Sequence, residues 1–247
     1  MTTNETEHET GRTFVTKWSD VRGNGLYAYY DGKAISGTAL IPFANAPFLN
    51  TTDESGRTFV DFGRPKASYD AGYGPSNCLL RLSETFTGCR EIFLVASKIT
   101  SGAASSPLGD VTAYPFHYGS GMLISDSKYG IPPENVRHGF ILVNGEVTGN
   151  ETPWPSHLSP TETQLAVASF GTTNGVTLSL VGSDRFYAKR SGGWRLGEIV
   201  VYTNVLTTAE RYAVHHHLQA KWQGSDAASV GAVVLSSGAS VGVPAGR

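Results

Sequence analysis

Charge is scarce in this chain. Of its 247 residues only 16% are Asp, Glu, Lys or Arg, and the formal net charge is −2. Nucleic-acid binding draws on basic side chains that displace counterions from phosphates, and no basic stripe is present. Long apolar runs are missing as well. None approaches the roughly 20 residues that a helix needs to cross a bilayer, so no direct membrane insertion is expected. The chain has only two cysteines, Cys78 and Cys89, with ten residues between them. A strand-like run follows each, so a disulfide between neighbouring strands and a pair of separate buried thiols both fit.

The residue patterns of catalysis are also lacking. There is no Gly-x-Ser-x-Gly elbow, and neither cysteine neighbours a histidine. A retaining glycosidase needs two carboxylates about 5 Å apart. The nearest acidic cluster, Glu5, Glu7 and Glu9, lies in a polar lead where no pocket would desolvate it. Glu198 and Asp61 are lone acids on strand-like runs, expected as hydrogen-bonded structural groups. The opening MTTNETEHETGRT has neither the basic nor the apolar stretch of a secretory signal. The export signal then lies elsewhere in a longer protein, or the chain is intracellular.

What the chain has in quantity is glycine and proline, 29 and 12 residues, which suits short strands joined by turns. Residues 1–12 read as a disordered lead. Residues 14–30 hold a strand or two broken by Gly23-Asn24-Gly25. Further strands are expected over 58–62, 78–82, 91–96, 139–143, 164–170 and 176–181. The run 91–96 is nearly all apolar and therefore central. Asn144-Gly145 is the strongest hairpin signal, and Pro153-Trp154-Pro155 reads as a stiff extended loop. Many short strands at regular spacing point to an all-β sandwich.

The most informative stretch is residues 192–222. Ile199, Val200, Val201 and Tyr202 form a β-branched and aromatic run, the composition of a strand. Thr207 and Glu210 have the spacing of a capping box, which opens a helix. Val214, Leu218 and Trp222 follow at i, i+4 and i+8 and share one face of it. His215, His216 and His217 point about 100° apart on that helix, so they cannot converge on one metal ion and are expected as exposed helix residues.

The order Gly193-Trp194, Gly197-Glu198-Ile199, Val201-Tyr202, Leu206-Thr207-x-Ala209-Glu210-Arg211 and Lys221-Trp222 resembles the C-terminal signature of bacterial laminin G-like domains of the concanavalin A-like lectin/glucanase superfamily. Trp18-Ser19-Asp20-Val21-Arg22-Gly23, Val60-Asp61-Phe62-Gly63, Arg90-Glu91-Ile92-Phe93-Leu94-Val95, Leu108-Gly109-Asp110 and Pro115-Phe116-His117 follow the family in the same order. The resemblance spans residues 13–223. It implies a two-sheet jelly-roll sandwich with one short C-terminal helix, in a module of a larger secreted or cell-surface bacterial protein. Residues 224–247 alternate small apolar residues with Gly and Ser, as a linker or the start of an autotransporter-associated-type strand repeat does. The glucanase members of the superfamily carry a Glu-x-Asp-x-x-Glu run, which this chain lacks.

The expected role is therefore non-catalytic, with a glycan or a surface protein as partner. Its alternatives are a structural spacer without a small ligand and a degenerate hydrolase. Sugar binding needs flat apolar ring faces edged by polar groups. Loop candidates are Trp154, His117, Tyr118, Tyr114 and Tyr129; Trp154 stands out because flanking prolines stiffen its segment. Phe116 matches a core strand of the family and is expected to pack inside. Trp18, Trp194 and Trp222 fall in the matching motifs and are expected to seal the core. The resemblance also brings one possible cofactor, a loop-rim Ca²⁺, for which Asp110, Asp126 and Asp184 are the loop carboxylates.

Overall fold

The computed structural model describes residues 2–9, 12–21, 25–30, 46–51, 57–63, 78–98, 106–112, 137–148, 165–183 and 191–224. Among these residues, eleven strands and one helix follow in chain order. They are β1 (Thr2–Glu9), β2 (Arg12–Ser19), β3 (Tyr27–Tyr29), β4 (Phe48–Thr51), β5 (Thr58–Asp61) and β6 (Leu80–Lys98). Then come β7 (Leu108–Gly109), β8 (Arg137–Val143), β9 (Glu146–Thr148), β10 (Ala166–Val181), β11 (Trp194–Tyr202) and α1 (Thr208–Gln223). The β-rich class and the C-terminal helix agree with the sequence reading.

The strand pairing differs from two separate sheets. All strands belong to one hydrogen-bonded ladder. Within it β2, β4, β5, β11, β6 and β3 pair in turn, and β3 pairs back onto β2, so six strands close a ring. The physical reason lies in β6 and β10. Where the sequence suggests two short strands in each place, each is a single long strand, and the pair runs side by side through three register shifts. Between two of these shifts Gly88 (φ 67°) lies against Gly175 (φ 76°). A Cβ on Gly175 would stand 2.7 Å from the Gly88 Cα, closer than any side chain allows. Both positive φ values and the contact demand glycine. As one long strand, β6 pairs with β3 near its start and with β11 along its C-terminal half, which joins the two sides of the ring.

Strand periodicity then sorts the core. Ile92, Leu94 and Ala96 of β6 join Ala166, Ala168 and Phe170 of β10 in the inner cluster. Trp18, Phe62, Leu80, Trp194 and Leu196 belong to it as well, all buried. The alternate residues Phe93, Val95 and Val167 face the other way, where Leu206, Val214 and Leu218 of the helix segment cover them. Residues 91–96 are thus apolar on both faces because both faces are covered. Of the three tryptophans expected to seal the core, Trp18 and Trp194 lie in the inner cluster, and Trp222 packs on the helix side.

Thr2–Glu9 falls in the segment that composition leaves without regular structure, yet it forms an antiparallel strand against β2, with Glu9 opposite Arg12. Its polar residues are compatible with an end strand, where hydrophobic burial is not required. The Asn144-Gly145 hairpin forms between β8 and β9, with Asn144 itself at positive φ (50°). Cys78 and Cys89 are separate buried thiols. Burial raises both, Cys89 to about 12, so neither offers a thiolate near neutral pH.

At the helix start the capping box is complete. The Glu210 N–H donates to the Thr207 Oγ1, and the Thr207 N–H donates to the Glu210 carboxylate at 2.8 Å. The Thr207 N–H, and then the Thr207 hydroxyl, donating to the Glu210 carboxylate hold its carboxyl below its ordinary range. Gly224, left-handed at φ 63°, ends the helix. Thr207→Ala is expected to lower stability by about 1 kcal/mol, read as a shift of the urea midpoint at an unchanged slope.

Candidate functional site

Two places in the described residues gather polar chemistry, and they differ in kind. The first is the seam between α1 and the sheet. The stripe Arg211, Val214, His215 and Leu218 follows i, i+3, i+4 and i+7, so all four point inward and all are buried. Arg211 Nη2 lies 2.7 Å from each Glu91 carboxylate oxygen, and its Nη1 donates to the Phe140 carbonyl at 3.0 Å. The Leu206 N–H also donates to Glu91.

His215 corrects the expectation of exposed helix histidines: it is fully buried, His216 is partly buried, and only His217 is exposed. Its Nε2 accepts the Gly145 N–H at 2.8 Å, so the ring proton sits on Nδ1, 3.1 Å from the Ser169 Oγ. A serine beside a histidine invites a catalytic reading, but the geometry opposes it. A general base needs an unoccupied nitrogen lone pair facing the nucleophile, and here the lone pair holds a backbone N–H. Burial, and secondarily His216, lower the His215 pKa to about 4. The seam is a lock between helix, hairpin turn and sheet.

Other acids are held similarly. Asp110 Oδ1 accepts from the Thr112 N–H and hydroxyl, and its Oδ2 accepts from the Ser179 hydroxyl at 2.6 Å. Asp61 accepts from the Gly63 N–H and pairs with Arg195 at 3.4 Å. Glu198 accepts from Trp222 Nε1 and Lys221. Asp61 and Glu198 are the structural acids that the sequence suggests. Among the described residues no three His, Cys, Asp or Glu side chains are grouped to hold a metal ion. Asp126 and Asp184 lie outside the described residues, as do Trp154, His117, Tyr118, Tyr114 and Tyr129.

The second place is the outer face of β2, β3 and the first part of β6. Trp18 pairs with Ala28, and Ala28 with Leu82, forming a row that faces the core. Strand alternation turns the rows on either side outward. One is Lys17, Tyr29 and Arg81; the other starts with Ser19 and Tyr27, where the Tyr27 N–H donates to the Ser83 Oγ at 3.1 Å. All six of these residues are partly exposed. Two tyrosine rings therefore form the middle column, centroids 5.8 Å apart, with cations flanking one ring and hydroxyls flanking the other. Lys17 Nζ reaches diagonally over the Tyr27 ring at 4.7 Å. Aromatic faces with polar flanks can hold the C–H surface and the hydroxyls of a sugar ring.

The sequence reading identified the strand region but passed over these two tyrosines. The signal was present: Tyr27-Ala28-Tyr29 alternates large and small at period two, which places both rings on the face opposite Ala28. No family model, curated protein or solved structure matches this chain.

Proposed function

We propose that the chain is a non-catalytic carbohydrate-binding module, of the laminin G-like, concanavalin A-like kind, within a larger secreted or cell-surface bacterial protein. The observation that carries this reading is the column of Tyr27 and Tyr29 on an outward sheet face, edged by Lys17, Arg81, Ser19 and Ser83. Support for the jelly-roll kinship comes from β6 and β10, long paired strands whose two halves serve different parts of the ladder. The ordered motifs of residues 13–223 add to it. Trp154, His117, Tyr118, Tyr114 and Tyr129 belong to the same proposal as further candidates for sugar contact, and Asp110, Asp126 and Asp184 as ligands of a loop-rim Ca²⁺. Each contact is weak, and repetition along a parent protein would strengthen it.

A glycan array followed by calorimetry on the strongest hit tests the reading. Tyr29→Ala is expected to weaken binding by about tenfold, since the ring supplies both stacking and buried area. The melting temperature should change little, because the ring projects from the core. A variant that binds like the parent chain refutes this site, and Trp154→Ala in the same assay then reports on the loop candidates.

A further inference from the structure

The turn between β8 and β9 carries chemistry that sugar binding leaves unused. Asn144 is exposed and precedes Gly145, which has no Cβ to crowd its nitrogen. We infer that Asn144 is a self-modification site, losing its amide to attack by its own backbone, and that helix α1 holds this reaction shut until the seam opens. The step is an acyl transfer within the chain, favoured because both reactants are already neighbours. The Gly145 nitrogen attacks Asn144 Cγ; the Cγ–Nδ2 bond breaks, and the Gly145 proton leaves with Nδ2 as ammonia. Water then opens the five-membered imide at either carbonyl, leaving aspartate or isoaspartate. No oxidant or reductant enters the balance.

Both reacting groups are tied down in the folded chain. The Gly145 N–H donates to His215 Nε2 at 2.8 Å. Burial lowers the pKa of that ring to about 4, so its lone pair stays available at neutral pH. Asn144 Oδ1 accepts the Val167 N–H at 2.9 Å and Gln223 Nε2 at 2.7 Å, while the Asn144 N–H donates to the Val167 carbonyl. Gln219 also covers the turn, its Oε1 3.1 Å from where a Cβ on Gly145 would stand. Helix α1 thus supplies His215, Gln219 and Gln223, and β10 supplies Val167. The nitrogen reaches Cγ only after these bonds release, so conversion follows the population of the open seam.

The two products differ in consequence. Aspartate keeps an oxygen for the Val167 N–H and Gln223. Isoaspartate routes the backbone through the former side chain and lengthens the turn by a methylene. The Gly145 N–H then no longer meets His215 while Val143 stays paired with Glu146, and a transient opening becomes permanent.

Peptide mapping by mass spectrometry of the full chain, aged near neutral pH, tests this. In denaturing urea Asn144 is expected to convert as fast as Asn174, which also precedes a glycine. In the folded chain Asn144 should convert at least about tenfold more slowly than in urea. His215→Leu removes the acceptor and Gln223→Ala one donor, and each should speed conversion in the folded chain severalfold. The half-buried Gln223 covers the case in which His215→Leu does not fold. The purified isoaspartate form should unfold at lower urea than the parent, whereas Asn144→Asp should keep the parent midpoint. Equal conversion in folded and unfolded chains, or folded variants as slow as the parent, overturns the shut seam. No conversion at Asn144 in urea overturns the site itself, and an isoaspartate form as stable as the parent overturns the permanent opening.

Discussion

Arg211→Met is expected to destabilise the protein by about 3–5 kcal/mol. Both members of the Arg211–Glu91 pair are buried, and Glu91 has no exposed surface at all. Removing the guanidinium leaves a carboxylate that retains, among the described residues, only the Leu206 N–H at 3.3 Å, far short of what hydration supplied. It also removes the donor to the Phe140 carbonyl, one of the ties between strand β8 and the helix. Urea denaturation followed by tryptophan fluorescence measures the loss. The double variant Arg211→Met with Glu91→Leu supplies the control, since it removes the stranded charge and should recover most of the deficit. A single variant within 1 kcal/mol of the parent would mean that the pair is not desolvated as described.

Acid should act through His215. Its pKa in the folded chain is lowered from 6.5 to about 4 by burial, with His216 a lesser cause. The unfolded chain thus takes up the proton at a higher pH than the folded one. The stabilising contribution is complete above about pH 6.5, declines as the pH falls toward 4, and is gone below the folded value. Its full size is on the order of 3 kcal/mol. Structure explains the direction: a second ring proton would confront the Gly145 N–H with a donor, beside Arg211 one turn earlier on the same buried stripe. Denaturation at a series of pH values between 7.5 and 4 reveals the slope. His215→Gln can keep an acceptor toward Gly145 and a donor toward Ser169, so the variant should be flatter over that range. The same slope in both proteins would remove His215 from the explanation. Glu210 adds its own loss at lower pH, because its carboxyl is held below the usual range and its capping bonds weaken as it protonates.

The parts of the fold that the sequence made legible are those written in local patterns. Thr207 and Glu210 announced the helix start, Asn144-Gly145 the hairpin, and the apolar run at 91–96 a strand covered on both faces. What escaped was set by contacts between distant segments. The strands expected over 78–82 and 91–96 are one strand, and Gly88 between them lies against Gly175, far along the chain. His215 looks like one of three exposed histidines, although its i+4 spacing from Arg211 and i−3 from Leu218 placed it on the buried stripe. Polarity masked the periodicity there, since neither Arg211 nor His215 reads as a core residue without its partner. The tyrosine face was hidden for a related reason: two rings are visible in Tyr27-Ala28-Tyr29, but Lys17 and Arg81 join them only once three strands are in register.

The place of β11 in the ring bears on how the chain reaches its native state. This strand fills the gap between β5 and β6, pairing Arg195 with Asp61 and Ser97, yet of the described strands it is the last to leave the ribosome. Until it arrives, the flanks of β5 and β6 that it will cover present unpaired amides and carbonyls, the template on which neighbouring chains stick together. Closure also joins segments far apart in sequence, which slows it. Nascent or C-terminally clipped molecules ending before Trp194 are therefore the species on which chaperones and proteases should act, and yield during expression should depend on that final stave.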